Sequence, residues 1–151
     1  MSKLEKQQIV ALSRQLMDER IAEFEAQCKA LQEGVANESK SSAGDKHETS
    51  RAMMNLEQEK LSRQLQELLV MKDRFEKIDF ETSADKIKIG SLIQTNKGLF
   101  LLSVGLGKIS MDGHDVLLLS KQSPLGEALY GKCKGEKIGL NANQYIIDWV
   151  S

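Results

Sequence analysis

The chain has 151 residues, 40% of them hydrophobic but only 5% aromatic, which leaves room for a long helical element plus one small domain and argues against a large aromatic-lined pocket. The 21 basic and 22 acidic residues give a net charge of −1, so there is no general field for holding duplex DNA or an anionic membrane. Cys28 and Cys133 lie far apart with no C-x-x-C pairing, and no apolar run approaches the roughly 20 residues that span a bilayer. The expectation is a cytoplasmic protein with reduced thiols and no membrane partner.

From Met1-Ser2-Lys3 the chain opens directly into a helical pattern. Met17, Ile21, Phe24, Cys28, Leu31 and Val35 step alternately by four and three, which lays them along one stripe of a helix. Met54, Leu61, Leu65, Leu68 and Phe75 follow a heptad spacing in a second run, with Met53 and Met54 read as gap-filling seam residues. Between the runs, Asn37-Glu-Ser-Lys-Ser-Ser-Ala-Gly-Asp45 is rich in turn and cap formers, and Ser42, Gly44 or Asp45 could cap the second helix. A turn here folds the runs into an antiparallel hairpin with arms on the order of 45 Å. A parallel coiled-coil dimer is the alternative, and the break at Ser41 to Gly44 argues against an uninterrupted rod.

The texture changes near Ile78 to Lys86. Beyond it, Ile87–Ile89, Ser91–Ile93, Gly98–Leu102 and Val116–Leu119 read as short strands, with Met111-Asp-Gly-His114 as a hairpin turn. Ser123-Pro-Leu-Gly-Glu-Ala-Leu-Tyr-Gly131 reads as a short helix: Ser123 caps it, Pro124 takes the first position and Gly131 ends it. Glu136–Leu140 and Gln144–Val150 form a last hairpin turning at Asn141–Asn143. The predicted fold is therefore α+β, with residues 1–78 a coiled-coil hairpin whose tip lies near 39–49, and residues 79–151 a compact sheet domain with one short helix.

Two stretches carry a family resemblance. Ser123-Pro-Leu-Gly-Glu-Ala-Leu-Tyr-Gly-Lys-Cys-Lys-Gly-Glu136 is similar to the S-P-x-(G/A)-x-A-L-x-G-K-x-x-G-(D/E) signature of Gre-family bacterial transcription factors. Gly44-Asp-Lys-His-Glu48 resembles the G-D-x-x-E-N segment at the tip of their coiled coil, and it falls at the bend between the two runs. The resemblance implies an FKBP-like C-terminal domain that docks on RNA polymerase through Ser123, Pro124, Leu125, Gly126 and Gly131. It also implies a hairpin that enters the secondary channel and stimulates cleavage of backtracked nascent RNA. The family's tip continues with Asn, a small residue, an acidic one and Tyr, where this chain has Thr49, Ser50, Arg51 and Ala52; the family's threonine–glycine entry into the first helix is absent.

Asp45 and Glu48 stand three apart at the start of a helix, so their carboxylates can share one face. The resemblance gives them the catalytic and metal-holding role: a magnesium ion shared with the polymerase active site, completing a two-metal hydrolysis. On that reading the protein is a monomeric cofactor, not an enzyme, and holds no metal stably alone. An acidic pair in a first helical turn also answers the helix dipole, typically by about 0.3–1 kcal/mol, without further duty. His47 and His114 read as turn residues, Ser41 and Ser42 as turn formers, and Cys133 as incidental between Lys132 and Lys134. A channel binder that does not cut, and an FKBP-like folding helper, are the competing functions. A cysteine-nucleophile enzyme fits least, since neither cysteine has a histidine in its sequence context.

Overall fold

The structure, a computed structural model, describes the backbone of residues 3–39 and 45–151 and the side chains of residues 5–34 and 48–151. Two long helices, α1 (Lys3–Ser39) and α2 (Asp45–Glu76), precede β1 (Leu92–Thr95), β2 (Gly98–Ser103), β3 (Gly107–Met111), β4 (His114–Ser120), α3 (Pro124–Leu129), β5 (Lys137–Leu140) and β6 (Asn143–Val150). The class is α+β, as expected. The chain divides into two compact units: Leu16–Val70 is helical, and Met1–Gln15 joins Met71–Ser151 in a unit built on the sheet. The sequence division at 78/79 differs from this one, because the first turns of α1 and the last turns of α2 pack within the sheet unit.

In the helical unit the two stripes are the least exposed faces. Met17 and Leu61 are buried, while Ile21, Phe24, Cys28, Leu31, Met54, Leu65 and Leu68 are half-buried. Gly34, late in α1, lies against Met54, early in α2: a Cβ at Gly34 would sit 3.7 Å from the Met54 methyl, so the helices run antiparallel there. Met53 departs from its expected seam position and is 66% exposed. Successive helical residues point about 100° apart, so only one of two neighbouring methionines can face the seam, and Met54 does.

In the sheet unit the six strands lie in the order β3-β4-β2-β1-β6-β5. Neighbours are antiparallel except β2 and β4, which run parallel from Leu99↔Val116 to Ser103↔Ser120. The chain reaches that parallel pairing by crossing through β3 and returning over the Asp112-Gly113 turn. Both turn residues have positive φ (51° and 79°), the conformation a two-residue hairpin with this twist requires. β2 is central and closed on both faces, which is why its sequence is a continuous apolar run. Phe100 and Leu102 join Ile87, Ile93, Leu119, Leu129, Ile138 and Ile147 in one core cluster. Alternating with them, Leu92, Leu101 and Leu118 are equally inaccessible.

The helix ends are fastened inside this unit. Lys6 is 2% exposed and its Nζ donates to the Ser151 carbonyl at 3.2 Å. Arg14 Nε meets Glu76 at 2.7 Å, with its guanidinium 5.9 Å from the ring of buried Phe75. Phe75 in turn packs on Phe80, ring centroids 4.9 Å apart. The ion pair is two-fifths exposed and contributes about 0–1 kcal/mol, so the buried ring is the stronger fastening.

Two strand expectations change. Ile87–Ile89 is no strand; the isolated bridge from Lys86 to Cys133 lies just before it. Gly107–Met111, not expected as a strand, is the sheet edge β3.

Candidate functional site

α2 begins at Asp45, so Asp45 and Glu48 occupy its first turn, as their spacing requires. Glu48 is exposed. The side chain of Asp45 lies outside the described residues, as do Ser41, Ser42 and the side chain of His47, so the proposed carboxylate pair is placed by its backbone and spacing. α1 continues through Ser39, so residues 37–39, read as turn formers, belong to the helix. Thr49, Ser50, Arg51 and Ala52, where the family would carry an acid and a tyrosine, form the next turn of α2. Thr49, Arg51 and Ala52 are exposed there and Ser50 is half-buried. Among the described residues, no group of three or more His, Cys, Asp or Glu could hold a metal ion. Two carboxylates alone would leave most of a magnesium octahedron to phosphates and water.

The second candidate region is α3 and its flanks, in the sheet unit. Ser123 sits in extended backbone (φ −70°, ψ 154°) and its Oγ accepts the Gly126 N–H at 3.0 Å while donating to the Ser120 carbonyl at 2.7 Å. Pro124 follows at the first helical position, where a missing N–H costs nothing. Gly126 is buried hard against Ser120: a Cβ there would overlap the Ser120 carbonyl oxygen. Leu125 and Leu129 turn into the core cluster. The Tyr130 N–H closes the helix on Gly126 O at 3.1 Å, and Gly131 (φ 82°) turns the chain so that its N–H reaches Ile87 O at 2.8 Å.

Of the five residues that the resemblance assigns to docking, Pro124 and Gly131 are exposed, Ser123 and Leu125 are half-buried and Gly126 is buried. Most of the motif is therefore spent on building the helix. The residues it leaves exposed are Pro124, Glu127, Tyr130, Gly131 and the turn Lys134-Gly135-Glu136. The carboxylate pair and the α3 motif belong to different units.

The aromatic side chains are largely taken up by the fold: Phe100 and Tyr145 meet edge-on at 6.1 Å in the core, and Phe75 and Phe80 pack on each other. Beside Phe80, a groove of about 410 Å³ is lined by Lys6, Gln7, Val10, Arg14, Ile78, Asp79 and Glu81. Of its acids, Asp79 is engaged by its own turn, accepting the N–H groups of Glu81 and Thr82 at 2.9 and 3.2 Å. Sequence reasoning passed over Lys6, since a lysine in a polar helix reads as surface, and its burial comes from a contact 145 residues away. It also passed over the Lys121–Tyr130 pair, where the ammonium stands 4.0 Å from the ring centroid. His114, read as a turn residue, is exposed at the start of β4, and both cysteines are free and half-buried. No described helix is long and apolar enough to cross a membrane. No family model, curated protein or solved structure matches the chain, so the functional reading rests on its own residues and geometry.

Proposed function

We propose that the chain is a Gre-like accessory factor of a bacterial RNA polymerase, cytoplasmic and monomeric, that stimulates cleavage of backtracked RNA without being an enzyme itself. One observation supports the reading: in the Ser123–Glu136 segment the serine caps α3 and the proline takes its first position, the duties that the signature's residue types suggest. Its second support is the start of α2 at Asp45, at the head of the G-D-x-x-E segment. On this reading α3 and its flanks dock the FKBP-like sheet unit on the polymerase, and the helical unit enters the secondary channel. Asp45 and Glu48 then hold a magnesium ion and its water jointly with the polymerase and the RNA phosphate. In isolation two carboxylates bind magnesium weakly, so the metal is held only in the complex.

A second reading, a channel binder that does not cut, is favoured by one specific feature: an arginine at position 51 and small residues around it replace the acid and tyrosine of the family tip. The two readings separate in one experiment. Purified polymerase halted in a backtracked complex is expected to release short 3′ RNA fragments when the protein is added. Asp45→Ala with Glu48→Ala is expected to lower that rate by about 100-fold or more while leaving polymerase capture intact. Capture without fragment release selects the second reading, and failure to capture core polymerase removes both.

A further inference from the structure

The segment that follows α3 is a hydrogen-bonded, cation-rich loop beside an exposed aromatic. Tyr130, 42% exposed, carries the Lys121 ammonium 4.0 Å from its ring centroid. Lys132 and Lys134 flank Cys133, which pairs across an isolated bridge with Lys86, and Lys137 opens β5. Lys86, Lys134 and Lys137 are exposed; Lys121 and Lys132 are half-buried. Acids nearby are fewer: Asp85, Glu127, Glu136 and Asp148, which follows the Ile147 bonded to this loop, and the Glu136 carboxylate is engaged by the Cys133 backbone N–H. The loop is held at both ends. Gly131 N–H reaches Ile87 O at 2.8 Å, Ile87 N–H reaches Lys132 O at 2.8 Å, and Gly135 N–H reaches Ile147 O at 2.7 Å. The sheet unit as a whole carries 14 basic and 11 acidic residues, whereas the helical unit carries 7 and 11, so the loop belongs to the unit with a net positive charge.

Protein interfaces are depleted in lysine, whereas sites for single-stranded nucleic acid combine lysines along a backbone track with an aromatic face for a base. From this juxtaposition we infer that the Tyr130 corner binds single-stranded nucleic acid, a base stacking on the open side of Tyr130 and phosphates meeting Lys132, Lys134 and Lys86. The corner overlaps the α3 flank that the proposed function gives to polymerase docking, so the binding belongs to the free chain; it requires neither the polymerase nor the carboxylates of α2, and its failure and the failure of the proposed function are distinguishable.

The test is fluorescence anisotropy of the full chain, without polymerase, using labelled oligouridine RNA, oligothymidine DNA and a DNA duplex. Both single strands are expected to bind more tightly than the duplex. Affinity should fall with salt at a logarithmic slope of about −2, the value for about three phosphate contacts on a single strand. Tyr130→Ala is expected to weaken binding about 10-fold and Tyr130→Phe to restore it. Lys132→Glu with Lys134→Glu should weaken it by at least about 10-fold and flatten the salt slope. Arg20→Glu with Arg63→Glu, in the helical unit and away from its tip, should change nothing. Absence of binding, or tighter binding of the duplex, overturns the inference. So does a loss on lysine reversal with no effect of Tyr130→Ala, which would indicate an acidic protein surface as the partner.

Discussion

Gly126 shows how little latitude a single position can have. A sequence reading asks only for a small residue there, facing the sheet, and alanine would satisfy it. The structure puts the Ser120 carbonyl oxygen where an alanine methyl would go. Gly126→Ala should therefore lower stability by about 2–3 kcal/mol, since backbone rather than a flexible side chain must move. Ser123→Ala, which removes the cap and the hydrogen bond to the Ser120 carbonyl, should cost about 1–2 kcal/mol. Urea unfolding of the two variants checks the order, and equal losses would mean that the carbonyl yields. Asp79 offers a second residue-scale test. The Thr82 hydroxyl and then the Thr82 and Glu81 N–H groups hold its carboxyl down from 3.8 to about 2, with Lys88 3.8 Å away adding to the effect. A carboxylate whose folded value lies below its unfolded one adds stability that is fully present above pH 3.8 and is lost as pH falls through about 2. Asp79→Asn should flatten the pH dependence of stability across that interval and lower the plateau above it without changing the slope there.

At the scale of elements, the helices were legible because their stripes repeat over many turns. Phe75 closes the second stripe at 0% exposure, whereas Met53, a turn from the tip, stands 66% exposed. Phe75→Ala should cost about 3–5 kcal/mol and Met53→Ser less than about 0.5, a contrast that thermal unfolding resolves. The strands were harder to read. β3 offers Ile109 as its one buried apolar side chain among Gly107, Lys108, Ser110 and Met111, and its edge position lets polar residues alternate freely. At that edge Asp115 accepts from Ser110 at 2.7 Å and meets Lys108 at 3.3 Å, a polar guard typical of exposed strand edges. Conversely, Ile87-Lys88-Ile89 has strand composition, yet Ile87 is buried in the core and Ile89 is 39% exposed beside the turn at Gly90. A Cβ at Gly90 would overlap the Asp79 carbonyl oxygen, so the chain bends there instead of extending.

For the whole molecule, the α+β class and the positions of the two motifs could be read from local pattern, and the true division of the chain could not. Nothing near residues 3–15 announces that they belong with a sheet beginning at Leu92. That membership is written in pairings across the full length of the chain, such as Lys6 with Ser151 and Arg14 with Glu76. The carboxylate pair was legible as spacing and as resemblance, because Asp45 and Glu48 are near neighbours in sequence. The lysines around Tyr130 were not, because Lys86 and Lys121 reach that corner only through folding. Since the sheet unit is made of two chain segments, the residues between them amount to an insertion whose exit and return are stapled at Arg14 and Glu76. Adding or deleting whole heptads in matched amounts on both arms would preserve that staple and every strand register, so arm length is free to vary while the sheet unit stays unchanged.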